Sequence, residues 1–185
     1  VYYTSISTRL TAADIGYILS DCGAKLIVVS ESLAQLASQA TQHLGHEIPM
    51  LLVGAARPGF DSWQAQTAAA PTKPIADQAQ GLDMLYSSGT TGRPKGVKWP
   101  MPDQPAGQRS ALLDLLVDLY GYGPNCRYLS PAPMYHAAPL RHSMTVIKMG
   151  GTVFMMPRFD ATGALTLIEK HRITHSQWVP TMFVR

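Results

Sequence analysis

Short apolar runs separated by helix-patterned segments constrain this chain most, because a strand buried on both faces has to find helices to cover it. Leu26 to Val29 and Met50 to Val53 read as buried strands, with Ser32 to Leu44 between them as an alanine-rich helix. Ahead of these, Thr11-Ala12-Ala13-Asp14 sets a capping hydroxyl three residues before an acid, and Ile15, Ile18 and Leu19 form a helical stripe that stops at Gly23. Strands are expected again over Leu82 to Tyr86, Arg127 to Ser130, Gly151 to Met156 and His175 to Val179, and helices over Leu140 to Met149 and Ala161 to His171. This alternation predicts an α/β fold, a mainly parallel sheet flanked by helices. The leucine-rich segment Gln108 to Leu119 predicts a largely buried helix. Gly54, Pro58, Gly59, Pro71 and Pro74 mark residues 54–80 as a surface excursion, with a helical turn around Trp63.

A chain of 185 residues can remove about 70% of its unfolded surface from water, so one real core is feasible. Only 15% of residues are charged, against a usual ~25%, which suggests surface meant to face other protein. The net charge is +3, but Lys and Arg are scattered rather than gathered in a patch, which argues against a nucleic-acid partner. Cys22 and Cys126 lie far apart with no metal-ligand spacing and point to reduced thiols in a cytoplasmic protein. No apolar run reaches the length of a membrane span. Peripheral membrane contact and homo-oligomer formation stay open. Val1-Tyr2-Tyr3 reads as the inside of a strand, so the chain is expected to begin in mid-fold.

The chemistry concentrates in Tyr86-Ser87-Ser88-Gly89-Thr90-Thr91-Gly92-Arg93-Pro94-Lys95-Gly96-Val97, directly after an expected strand. Glycines let the backbone approach an anion, four hydroxyls add donors, and Lys95 adds a full charge. A few charge-assisted hydrogen bonds, each worth roughly 1.5 to 3 kcal/mol, hold a phosphate group. Gly, Ser and Thr also fill ordinary turns. The order of residues is not that of a Walker loop, since no Gly is followed directly by Lys and a hydroxyl residue.

Pro131-Ala132-Pro133-Met134-Tyr135-His136 forms a rigid turn after a strand, a position where α/β sheets collect ligands. Tyr135 and His136 at its tip are candidate pocket-wall residues, and a histidine satisfied by the backbone is the other reading of His136. His43 with His46 and His171 with His175 have helical spacing but no third ligand, so they are read as surface or structural residues.

Residues Tyr86 to Val97 resemble the signature of the adenylate-forming (AMP-binding) superfamily, which includes acyl-CoA synthetases. The resemblance extends to Thr8-Arg9-Leu10-Thr11, to Ala132-Pro133-Met134-Tyr135-His136 as a second core motif, and to Gly150-Gly151-Thr152, Arg158-Phe159-Asp160 and Trp178-Val179-Pro180-Thr181-Met182. Arg93, Pro139-Leu140-Arg141 and the Thr174 to Thr181 segment look most like bacterial fatty-acid-CoA ligases.

The resemblance implies that Ser87, Ser88, Gly89, Thr90, Thr91, Gly92 and Lys95 hold the β- and γ-phosphates of ATP with Mg²⁺. It implies that His136 lies at the boundary between the acyl pocket and a CoA tunnel, beside Tyr135 on the substrate-pocket wall already read from the turn. The family reaction joins a carboxylic acid, here expected to be a fatty acid, to ATP as acyl-AMP with loss of pyrophosphate. CoA then displaces AMP. The family's later adenine- and ribose-binding segments, its metal-binding acid, its hinge and its C-terminal domain with the adenylation lysine have no counterpart in these residues. The expectation is therefore an incomplete N-terminal domain over 1–185, inactive without the remainder of the enzyme. The alternative is a non-catalytic nucleotide-binding or assembly module with a degenerate adenylation fold.

Overall fold

The computed structural model describes residues 1–42, 44–87, 92–101, 105 and 107–184. They divide into two compact units, Val1–Ala106 and Gly107–Arg185.

In the first unit, strand β1 (Tyr2–Tyr3) precedes helix α1 (Ala12–Asp21). The Thr11 hydroxyl caps α1 by accepting the Asp14 N–H at 3.2 Å and donating to the Asp14 carboxylate at 2.7 Å. Gly23, at φ +62°, turns the chain out of α1. Strand β2 (Ile27–Ser30) follows, then a 3₁₀ turn over Glu31–Leu33, helix α2 (Ala34–Thr41) and strand β3 (Met50–Val53). Ala34, Ala37 and Ala40 are buried, a small-residue face that lets α2 pack closely against α1 with Ile18 and Leu19.

The excursion at 54–80 is largely exposed, yet it carries strand β4 (Asp61–Ser62) and helix α3 (Trp63–Ala69), two turns rather than one, capped by Ser62. Strands β2, β3 and β4 form a parallel sheet in that order.

The expected strand Leu82 to Tyr86 is two strands that change partners at Met84. Strand β5 (Leu82–Asp83) runs parallel to β1, whereas β6 (Leu85–Ser87) pairs antiparallel with β7 (Lys95–Val97). The glycine-rich connection is thus the loop of a hairpin, where sequence alone left only a strand end.

The second unit is built on a parallel sheet ordered β10–β8–β9, comprising β8 (Arg127–Ser130), β9 (Thr152–Met155) and β10 (His175–Ser176). Helix α4 (Ala111–Tyr120) leads in, capped by Ser110 and closed by Gly121 at φ +66°. Helix α5 (Ala137–Lys148) joins β8 to β9 and starts three residues earlier than expected, because Pro139 in a first turn has no helical N–H to lose. Helix α6 (Ala161–His171), capped by Asp160, precedes β10, and α7 (Pro180–Phe183) follows it.

Tyr122, Cys126, Tyr128 and Val146 make the core of this unit, with Leu116, Val117, Met149 and Val153 packed against them. The expectation for α4 needs correction: only Leu113 is buried, while Leu115 is 53% and Leu119 65% exposed. The helix carries leucine on more faces than the neighbouring α5 can cover. No helix among the described residues is long and apolar enough to cross a membrane.

Candidate phosphate hairpin and pocket tip

The hairpin register pairs Ser87 with Lys95 and Tyr86 with Gly96. Directly paired residues project to the same face and successive residues to opposite faces. The Ser87 hydroxyl and the Lys95 ammonium therefore share one face at the mouth of the loop, and Tyr86 lies on the other. Both Ser87 and Lys95 are exposed, and Lys95 has no ion-pair partner among the described residues. Gly92, at φ +92°, takes the left-handed backbone that glycine adopts freely. Ser88, Gly89, Thr90 and Thr91 lie outside the described residues. A mobile cation, a hydroxyl and a glycine turn form a donor set suited to a phosphate.

A side chain at Gly96 would crowd its partner. A Cβ there would stand 2.6 Å from Met84 Cε, 3.0 Å from Tyr86 Cζ and 3.1 Å from the Tyr86 hydroxyl. The Tyr86 ring crosses this bare position and its hydroxyl donates to Asp21 at 2.5 Å. Burial, and then the bond to Asp21, push the Tyr86 phenol up, so it stays a donor.

In the second unit, Pro131 and Ala132 are buried and the chain turns outward, the His136 N–H donating to the Pro133 carbonyl at 3.2 Å. The Tyr135 and His136 rings stand 4.4 Å apart at the tip, where His136 is the residue before α5. Met134 anchors this turn from inside, since the buried hydroxyls of Ser130 and Ser143 both donate to its sulfur, at 3.6 and 3.7 Å. Ser87, Gly92 and Lys95 belong to the first unit and Tyr135 and His136 to the second, so each group is placed within its own unit.

Two histidines serve structure rather than chemistry. The Tyr122 hydroxyl and His142 Nδ1 share a hydrogen bond at 2.7 Å, and burial pushes the Tyr122 phenol up to about 12 and the His142 imidazole down. His175 Nε2 donates to the Tyr120 carbonyl at 2.8 Å, and Nδ1 lies 2.7 Å from the Thr174 hydroxyl and 3.4 Å from the Cys126 thiol. A cavity of about 310 Å³ opens beside this cluster, lined by Cys126, Thr174 and His175 among others, and neither Tyr135 nor His136 lines it.

His171 packs tilted against Phe154 with ring centres 4.5 Å apart, and His43 lies outside the described residues. Both cysteines are free thiols, pushed up by burial. Sequence reasoning missed Asp21, Met134 and His142, whose roles depend on partners distant in the chain.

A family model described as AMP-binding enzyme matches residues 1–185. The long-chain-fatty-acid–CoA ligase FadD13 of Mycobacterium tuberculosis is 29% identical over 184 residues, covering 96% of this chain and 34% of that protein. The 4-coumarate–CoA ligase 1 of Oryza sativa is 28% identical over 198 residues, covering 98% of this chain and 33% of the relative. The chain thus spans about a third of the length of the curated relatives it matches. Among solved structures, ATP-bound MatB from Rhodopseudomonas palustris superposes with a TM-score of 0.71 at 27% identity, over 100% of this chain and 35% of that one.

Proposed function

Because the chain belongs to the AMP-binding enzyme family, we propose that it contributes the pyrophosphate grip and part of the acid pocket of an ATP-dependent acyl-CoA ligase. The observation that carries this is the hairpin register, which sets Ser87 and Lys95 on one exposed face around the glycine-rich loop. The reaction is attack of a carboxylate oxygen on the α-phosphorus, with the electron pair of the broken P–O bond leaving on pyrophosphate. The CoA thiol then displaces AMP from the acyl carbon. Negative charge grows on the departing pyrophosphate, and Lys95 and Ser87 are donors on the face where that charge develops. Magnesium enters with ATP as part of the substrate; among the described residues no three His, Cys, Asp or Glu side chains gather to hold a metal.

Tyr135 and His136 are assigned to the acid pocket, and a fatty acid is the proposed substrate, supported by the likeness to FadD13. The free thiols fit a reducing, cytoplasmic setting. Adenylation requires the rest of the enzyme, so these residues alone are proposed to be inactive.

The test is ATP–pyrophosphate exchange by the polypeptide that carries these residues together with that remainder. Lys95→Ala should slow exchange about a hundredfold, the usual loss for one such donor, and unchanged exchange would refute the assignment. Exchange with 4-coumarate but with no fatty acid would refute the substrate class.

A further inference from the structure

We propose that helix α1 sets the position of the phosphate hairpin, with Asp21 and Tyr17 as positioning residues for the grip formed by Ser87 and Lys95. This rests on the phosphate role assigned above and adds two residues that lie outside the glycine-rich signature. Tyr17 and Asp21 are four apart in α1 and share one helix face. Asp21 accepts the hydrogen bond of Tyr86, the residue immediately before Ser87 on β6. The Arg93 guanidinium sits 5.3 Å from the centre of the Tyr17 ring, and Arg93 lies on the return path between Gly92 and Lys95. One helix face therefore holds both arms of the connection, on either side of the segment that carries the hydroxyls.

Three further features fit this arrangement. Gly96 leaves room for the Tyr86 ring to cross β7 and reach the helix. Tyr86 points away from the Ser87 and Lys95 face, so α1 ties the hairpin without covering its donors. The helix is itself fixed, with Ile18 and Leu19 buried and α2 packed against it. Holding the arms in advance lowers the ordering cost of ligand binding.

Inorganic pyrophosphate with magnesium, titrated by calorimetry into the polypeptide that carries these residues together with the remainder of the enzyme, and into its variants, tests the tie. Amide hydrogen exchange at Lys95, Gly96 and Val97 is followed in parallel. Tyr86→Phe and Asp21→Asn should each weaken pyrophosphate binding about three- to tenfold, the scale of a partly exposed hydrogen bond to a charged group. The double variant should be no weaker than either single one, because both remove the same bond. The amides at 95–97 should exchange faster while those of α2 do not change. Wild-type binding with undiminished affinity in Tyr86→Phe overturns the positioning role and leaves the phosphate role standing, even where that variant melts lower. Absence of pyrophosphate binding by the wild-type polypeptide with that remainder overturns both. Tyr86→Phe keeps the ring and its packing, so it decides the matter alone where Asp21→Asn fails to fold.

Discussion

Removing the hydroxyl of Tyr128 should stabilise the protein, although the residue is only 1% exposed and lies in the middle strand of its sheet. Its ring is well used: it stacks parallel to His142 at 6.2 Å and meets the Tyr122 ring edge-on at 6.1 Å. Its hydroxyl oxygen is buried and has no hydrogen-bond partner among the described residues. A buried hydroxyl without a partner carries a desolvation cost of about 1–3 kcal/mol. Tyr128→Phe keeps the ring and leaves a void on the order of 10 Å³, which costs about 0.3 kcal/mol at the usual cavity coefficient. The net expectation is a gain of about 1 kcal/mol, or about 2–4 °C in Tm for a chain of this size. Circular dichroism melts of the two proteins at pH 7.5, with urea titrations beside them, measure it. A fall in Tm of that size would refute the reasoning, because it would mean the hydroxyl is bonded in the folded protein. Tyr128→Leu serves as the opposite control and should destabilise, since it removes the ring contacts themselves.

Two further outcomes follow from the second unit. Arg172 closes α6 at φ +47°, a left-handed conformation that costs an L-residue about 1–2 kcal/mol, so Arg172→Gly should add about 0.5–1 kcal/mol of stability after the entropy of glycine is counted, read as a higher urea midpoint. Burial holds the His142 imidazole below its ordinary value, so the unfolded chain takes up the proton first. That contribution to stability is complete above about pH 6.5, the unperturbed value, and is lost progressively as pH falls below it. Tm measured from pH 8 to pH 5.5 should drop more steeply in the wild type than in His142→Phe, and parallel curves would exclude this histidine as the cause.

What the sequence made legible was whatever is decided within a few residues. The Thr11–Asp14 cap, the arrest at Gly23 and the strand at Arg127–Ser130 each rest on local chemistry and were found where expected. Pairing partners were not legible. The run Leu82 to Tyr86 looks continuous, yet its two halves pair with β1 and β7 in opposite senses. Lys95–Val97 has a glycine at its centre and no apolar run, so only its partner strand makes it a strand. The leucines of α4 announce a helix but not how many neighbours cover it. At the site, the donor set was readable from residue types. Asp21, 65 residues from Tyr86, and the two serines on the Met134 sulfur were not, because nothing local to them distinguishes a buried bond from a solvated side chain.

The strand order β10–β8–β9 also bears on how the second unit comes together during synthesis. The middle strand emerges first, and its flanking strands follow only with Thr152–Met155 and His175–Ser176. Until His175 arrives, one edge of Arg127–Ser130 offers unpaired backbone groups beside Tyr128 and Leu129, side chains destined for the core. Parallel pairing over 47 residues is slow to form, because loop closure precedes the contacts that reward it. Docking of this strand, which Thr174 begins by accepting the Arg127 N–H at 2.9 Å, is therefore also the step that ends a period of exposure to aggregation.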